Sequence, residues 1–183
     1  MNADLTNAVA LIAALSLAMV GAIGVDSMFE PTQPNVVRED EISETSTELT
    51  DARGQIIPIR DYRRIASLNT VADHLLLRLV SPDRIVGITR YTQEEHPESW
   101  RFTTFPGITD SRDVEAVLSL APDLVISSIF SDESHMARLR EEGIQVFDLG
   151  DMRGIDTTLS GIRTLGRLFQ VPDRSERLAQ DFS

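Results

Sequence analysis

The side chains of this chain best suited to chemistry are three histidines with acidic neighbours: His74, His96 and His135. Glu94, Glu95, His96 and Glu98 fall together in one stretch. An imidazole among carboxylates can hold a cation, and the same composition also makes a solvated acidic loop tip. His135 follows Asp132 and Glu133, a set able to move protons, although Asp132 is equally placed to cap a helix. His74 stands beside Asp73 inside a predicted helix, where a surface or capped histidine and a metal ligand are both open readings. Paired carboxylates at a strand end, the arrangement for hydrolysis, are not evident. There is no H-E-x-x-H, no G-x-S-x-G and no G-x-G-x-x-G after a strand. All 17 basic residues are arginine, which rules out the P-loop lysine. With no cysteine there is no thiol nucleophile, thiolate metal site or disulfide. The residues point to a protein that is not an enzyme, with no resident cofactor or metal.

The elements that must position these side chains alternate in type. Thr45 to Leu49, a turn at Asp51 to Gly54, and Gln55 to Ile59 predict a hairpin. Short apolar runs at Arg64–Leu68, Arg84–Ile88, Leu124–Ile126 and Ile144–Phe147 read as buried strands. Between them lie helical patterns: one capped by Asn69 or Thr70 and stopped at Ser81-Pro82-Asp83, one from Val114 to Leu120, and one capped by Ser131 or Asp132 and closed by Gly143. Ile155 to Phe169 and Arg174 to Phe182 continue as helices. Thr89 to Arg112 has no clear period. This is an α/β pattern with a mostly parallel sheet flanked by helices on both faces. In such sheets ligands sit outside the carboxyl ends of the strands. That singles out Leu68–Thr70, Thr89–Tyr91, Ser127–Ser131 and Leu149–Asp151.

The formal charge of the 183 residues is −12, and it is uneven. Residues 1–50 carry eight acids and a single base, Arg38. An acidic balance excludes a sequence-independent nucleic-acid binder, which needs a basic face. Ala8 to Val25 is an apolar run of 18 residues, long enough for a signal peptide or a membrane anchor. The start lacks the usual positive residues and carries Asp4. Asp26 to Glu44, with Pro31, Pro34 and Arg38-Glu39-Asp40-Glu41, reads as a disordered acidic linker. The expected organisation is a signal peptide or anchor over 1–25, a linker over 26–44 and a folded lobe over 45–183. Either leader places that lobe outside the cytoplasm, in the periplasm or on the outer face of the membrane.

Several stretches in order carry a family resemblance. They are Asp51-x-x-Gly54 before Ile56-Ile57-Pro58, Arg64-Ile65-Ala66-Ser67-Leu68, Asp83 to Thr89 with Tyr91, Pro106-Gly107, Asp113 to Leu120, Ala121-Pro122-Asp123-Leu124-Val125-Ile126, and Leu139-x-x-x-Gly143-Ile144-Gln145-Val146. The run from Glu115 to Ile126 is the most specific. The order resembles the substrate-binding proteins of ABC importers for cobalamin, ferric siderophores and haem, over their N-terminal lobe only. The resemblance implies a Rossmann-like lobe, with Ile155 to Phe169 beginning or flanking the helix that joins two lobes. It also implies a ligand held between lobes: an iron–siderophore, a corrinoid or a related metal chelate. The ABC transporter permease subunits would be the partner, met by Glu115 on its helix. The ligand contacts implied at the strand ends are Asn69, Arg90, Tyr91, Ser128 and Phe130.

The pattern departs from the family in three places. Thr109 stands where cobalamin binders often have tryptophan, Ser128 where an aromatic is found, and Ile108 where haem binders carry tyrosine. These departures lower the cobalamin and haem readings; a ferric chelate remains, with an arginine such as Arg90 or Arg112, by its loop position, facing an anionic complex. Trp100 and Phe102 either line the cleft or pack the loop. Two other readings stand beside the importer: an anchored single-lobe interaction module without a solute, and a metal-dependent α/β enzyme.

Overall fold

A computed structural model describes residues 46–182; the leader and linker expected over 1–25 and 26–44 lie outside them. Strands β1 (Glu48–Thr50) and β2 (Ile56–Pro58) form the antiparallel hairpin, with Leu49 opposite Ile57. The turn between them uses Gly54 at φ +79°, a backbone conformation open to glycine and costly to other residues.

The main sheet has five parallel strands: β3 (Ile65–Ser67), β4 (Ile85–Thr89), β5 (Gly107–Ile108), β6 (Leu124–Ser127) and β7 (Gln145–Asp148). Their order is β5-β4-β3-β6-β7. The chain therefore builds outward from β3 in one direction, then returns to β3 and builds in the other. The reversal between β3 and β6 is a topological switch point, where sheets of this kind leave a crevice for ligands.

Five α-helices cover the sheet. Helix α1 (Thr70–Leu79) joins β3 to β4, α2 (Val114–Ser119) joins β5 to β6, and α3 (Glu133–Glu141) joins β6 to β7. Helices α4 (Ile155–Leu168) and α5 (Pro172–Asp181) follow β7. Two apolar clusters result. Leu75, Leu76 and Leu79 of α1 pack with Ile162, Leu165 and Leu168 of α4, and with Leu178 of α5. Val114 and Val117 of α2 pack with Met136 and Leu139 of α3 against Ala66, Val125 and Val146. The strands are apolar without alternation because both of their faces are covered; β6 is buried at every position. Each such side chain contributes about 1.5–3 kcal/mol. Helix ends follow from local chemistry: Asn69, Asp113 and Asp132 cap α1, α2 and α3 with side-chain oxygens. Among the described residues no helix is long and apolar enough to cross a membrane.

The structure differs from the sequence reading chiefly between Thr89 and Arg112. That stretch holds a wide helical turn at Tyr91–Glu95, a 3-10 turn at Ser99–Arg101 and the fifth strand, β5. Two residues are too few to show a period. Their pairing depends on a close approach: a Cβ built on Gly107 would stand 2.1 Å from Gln93 Oε1. Gln93 in turn donates from Nε2 to the Phe105 carbonyl at 2.7 Å.

Candidate ligand-binding edge

Among the described residues, several large apolar side chains that remain in water follow the carboxyl ends of the strands. Tyr91 follows β4, Ile129 and Phe130 follow β6, and Ile155 lies just past β7; they are 49, 38, 67 and 71% exposed. Exposed apolar groups collected at one edge mark a contact surface. Arg153 adds a cation, its Cζ 5.4 Å from the centre of the Phe130 ring. Its guanidinium is also paired with Asp151, Nε to Oδ1 at 2.9 Å and Nη2 to Oδ2 at 2.6 Å. Trp100, 72% exposed, lies further along the segment that begins with Tyr91.

Beneath this edge is a clamp built on Arg53, a residue of the hairpin turn. Its Nε donates to Asp148 Oδ2 at 2.6 Å. Its Nη2 donates to the carbonyls of Ile129 at 3.2 Å and Ser131 at 2.9 Å. Its Nη1 is 3.0 Å from Glu133 Oε2. One guanidinium, with donors in a fixed fork, thus ties the hairpin to the end of β7 and to the loop bearing Phe130. Asp148 is fully buried and accepts a second bond from the Gly150 N–H at 2.7 Å. Asp51 accepts from the N–H groups of Arg53, Gln55 and Asp148. Burial nevertheless raises its pKa above the ordinary value, because desolvation opposes the charged form. Asp51 and Asp148 are therefore a pair of carboxylates at a strand end, a pair the sequence does not suggest. Their oxygens accept from Arg53 and from backbone N–H groups, so they hold the edge together. The sequence signal was Asp51-x-x-Gly54, read there as a turn and as the start of the family pattern, with no role for Arg53.

A third buried carboxylate faces the end of β4. Asp73, in the first turn of α1, accepts from the Thr89 N–H at 3.2 Å and from the Thr89 hydroxyl at 2.5 Å. The Thr92 hydroxyl lies 3.0 Å from that of Thr89. This fixes the start of the segment that carries Tyr91. Burial pushes the Asp73 carboxyl up to about 6 from its ordinary 3.8, and its Oδ1 has no hydrogen-bond partner. The folded state therefore favours the proton. Stability from this group is complete below the unfolded value and is lost as the pH rises through about 6, on the order of 3 kcal/mol in all. Asp73→Asn should remove that slope. Urea denaturation at several pH values between 4 and 7 checks it, and a slope unchanged in the variant assigns the titration elsewhere.

The other residues singled out by the sequence fall as follows. Asn69 is half-buried, and its Oδ1 accepts from the Ala72 N–H at 3.0 Å, so its side chain caps α1. Ser128 is buried, which leaves it off the open surface. Arg90 is exposed; it pairs with Glu94 at 2.8 Å and reaches Thr109 Oγ1 at 3.2 Å. Arg112 is held by Asp110, Nε to Oδ1 at 3.0 Å and Nη2 to Oδ2 at 2.9 Å. Phe102 is buried and packs the loop, whereas Trp100 is not. Glu115 is exposed in the first turn of α2, and Arg138 of α3 donates to it at 2.6 Å. His135 Nδ1 lies 3.6 Å from Asp132 Oδ1, and Asp132 caps α3. Among the described residues no three His, Asp or Glu side chains are grouped so as to hold a metal ion.

The family described as periplasmic binding protein matches over residues 65–183. The chain belongs to the periplasmic binding protein family. The cobalamin-binding protein of Halobacterium salinarum is 31% identical over 105 residues, which are 57% of this chain and 28% of that relative. Among solved structures, the heme binding protein HmuT superposes with a TM-score of 0.63 at 24% identity, over 84% of this chain and 50% of that one. The periplasmic heme-binding protein RhuT from Roseiflexus sp. RS-1 gives 0.56 at 29%, over 64 and 45%. This periplasmic binding protein thus spans less than a third of the length of its curated relative, and about half of these two solved chains. The superpositions bear out the α/β fold with its parallel sheet and flanking helices. The family is one of solute-binding proteins.

Proposed function

We propose that this lobe forms one wall of a solute site for a corrinoid or closely related metal chelate, and that it delivers the chelate to an ABC importer. The carrying observation is the apolar rim of Tyr91, Ile129 and Phe130 at the carboxyl edge of the sheet, on the side where the switch point opens. A flat macrocycle of largely apolar surface buries such a rim, and ring faces stack on it. Arg153 over Phe130, together with Arg90, supplies cations for anionic groups on the chelate's periphery. The cobalamin-binding relatives favour the corrinoid within this class. In this reading the part of the relatives outside the matched region supplies the opposite wall. The protein then works on the outer side of the cytoplasmic membrane, with the permease meeting Glu115.

Replacing both Tyr91 and Phe130 by alanine should weaken cyanocobalamin binding about tenfold, since two ring contacts together contribute roughly 1–3 kcal/mol. The unfolding midpoint should stay put, because both rings are exposed. Isothermal titration of the full-length protein measures this, and an affinity unchanged in the double variant removes the rim from the site.

A further inference from the structure

The segment from Arg90 to Arg101 has a second anchor that the solute site does not explain. His96 packs edge-on against His74 of α1, ring centres 4.4 Å apart. His74 also meets the edge of Phe102 at 4.8 Å. The Glu98 N–H donates to His96 Nδ1 at 3.1 Å, so that nitrogen holds a lone pair and no proton. His74 Nε2 is buried with no hydrogen-bond partner. His96 thus serves as an acceptor at Nδ1, while His74 Nε2 meets no partner. The charged groups facing them are Glu98, whose Oε2 lies 3.7 Å from His74 Nδ1, and Arg101, which occupies the same oxygen at 3.0 Å. On α1 the neighbouring Asp73 turns instead to Thr89. The Tyr91 ring is 6.2 Å from that of His96.

We propose that the His74–His96 pair is an acid-operated latch on the segment bearing Tyr91 and Trp100, and that it regulates the solute site. Its effect on solute rests on the function proposed above; the latch itself does not. A proton on His96 Nδ1 breaks the bond from Glu98. A proton on His74 places a charge against Phe102, and with both rings charged, like charges face each other at 4.4 Å. Residues near 96–101 then let go of α1, while Asp73 still holds Thr89 and Thr92. Burial first, and His96 second, lower the His74 pKa. The stacked state is therefore complete above the ordinary imidazole value of about 6.5 and is lost as the pH falls below it.

Trp100 is the one tryptophan of the chain, so its fluorescence anisotropy reads the latch with no ligand present. In the full chain, anisotropy should fall between pH 7.5 and 5 with a midpoint below about 6.5 and unchanged far-ultraviolet circular dichroism. His74→Phe, which keeps a ring against Phe102, and His96→Gln should each abolish that transition. Asp73→Asn should retain it, although Asp73 titrates in the same range. A flat wild-type trace overturns the latch, as does a transition that survives His74→Phe or disappears in Asp73→Asn. Cyanocobalamin affinity of the full-length protein should fall about tenfold over the same range, and not in His74→Phe. A transition accompanied by pH-independent affinity overturns the regulatory role. A transition with no cyanocobalamin binding at either pH defeats the solute reading and leaves the latch standing.

Discussion

Arg53→Met should destabilise the lobe by roughly 3–5 kcal/mol, the usual cost of stranding one member of a buried ion pair. Asp148, which has no exposed surface, would lose the 2.6 Å bond from the guanidinium that pairs with it. The carbonyls of Ile129 and Ser131 would lose their donor together, which frees the loop that presents Phe130. The cost belongs mainly to the stranded carboxylate, so adding Asp148→Asn should restore at least half of it. Urea denaturation of the two variants measures both effects. A loss below about 1 kcal/mol for Arg53→Met would place this pair among ordinary surface ion pairs and dissolve the clamp.

The second large effect falls on the partner. With Glu115→Arg, stimulation of the importer's ATPase in reconstituted membranes should disappear while cyanocobalamin affinity stays at the wild-type value. Glu115 is 72% exposed and its partner Arg138 57%, so the bond between them is screened and contributes little. In the proposed docking the carboxylate would exchange Arg138 for an arginine of the permease, and reversing its sign would turn attraction into repulsion. Arg138→Ala separates the two roles: it frees Glu115 and should leave stimulation intact or raise it. Stimulation persisting in Glu115→Arg removes the docking assignment.

Much of the fold was legible because burial on both faces writes itself as continuous apolar runs. Ile65 to Ser67 and Leu124 to Ser127 are such runs, and both lie in the middle of the sheet. The helices announced themselves through caps with one physical job each: Asn69, Asp132 and, at the far end of α3, Gly143 at φ +82°. The edge strand β5 was not legible. It is two residues long and rests on the approach of Gln93 to Gly107, which no local pattern encodes. Tyr91 and Phe130, expected beside the strand ends, are exposed there, on the side of a parallel sheet where ligands go. Asn69 and Ser128 illustrate the limit of that rule: position at a strand end does not say whether a polar side chain faces water or serves the backbone. Arg53 was missed because its partners Asp148 and Ser131 are 95 and 78 residues away in sequence. The pairing of His74 with His96 was missed for the same reason: the two lie on different elements, and each was read only against its own sequence neighbours.

In the function proposed here, the carboxyl edge of this lobe takes a metal chelate. Equilibrium dialysis of the full-length protein against cyanocobalamin, with hemin and a ferric hydroxamate siderophore in parallel cells, tests it most directly. Saturable, stoichiometric uptake of cyanocobalamin that is weakened by the Tyr91 and Phe130 replacements is the predicted result. A folded protein that retains none of the three chelates would contradict it.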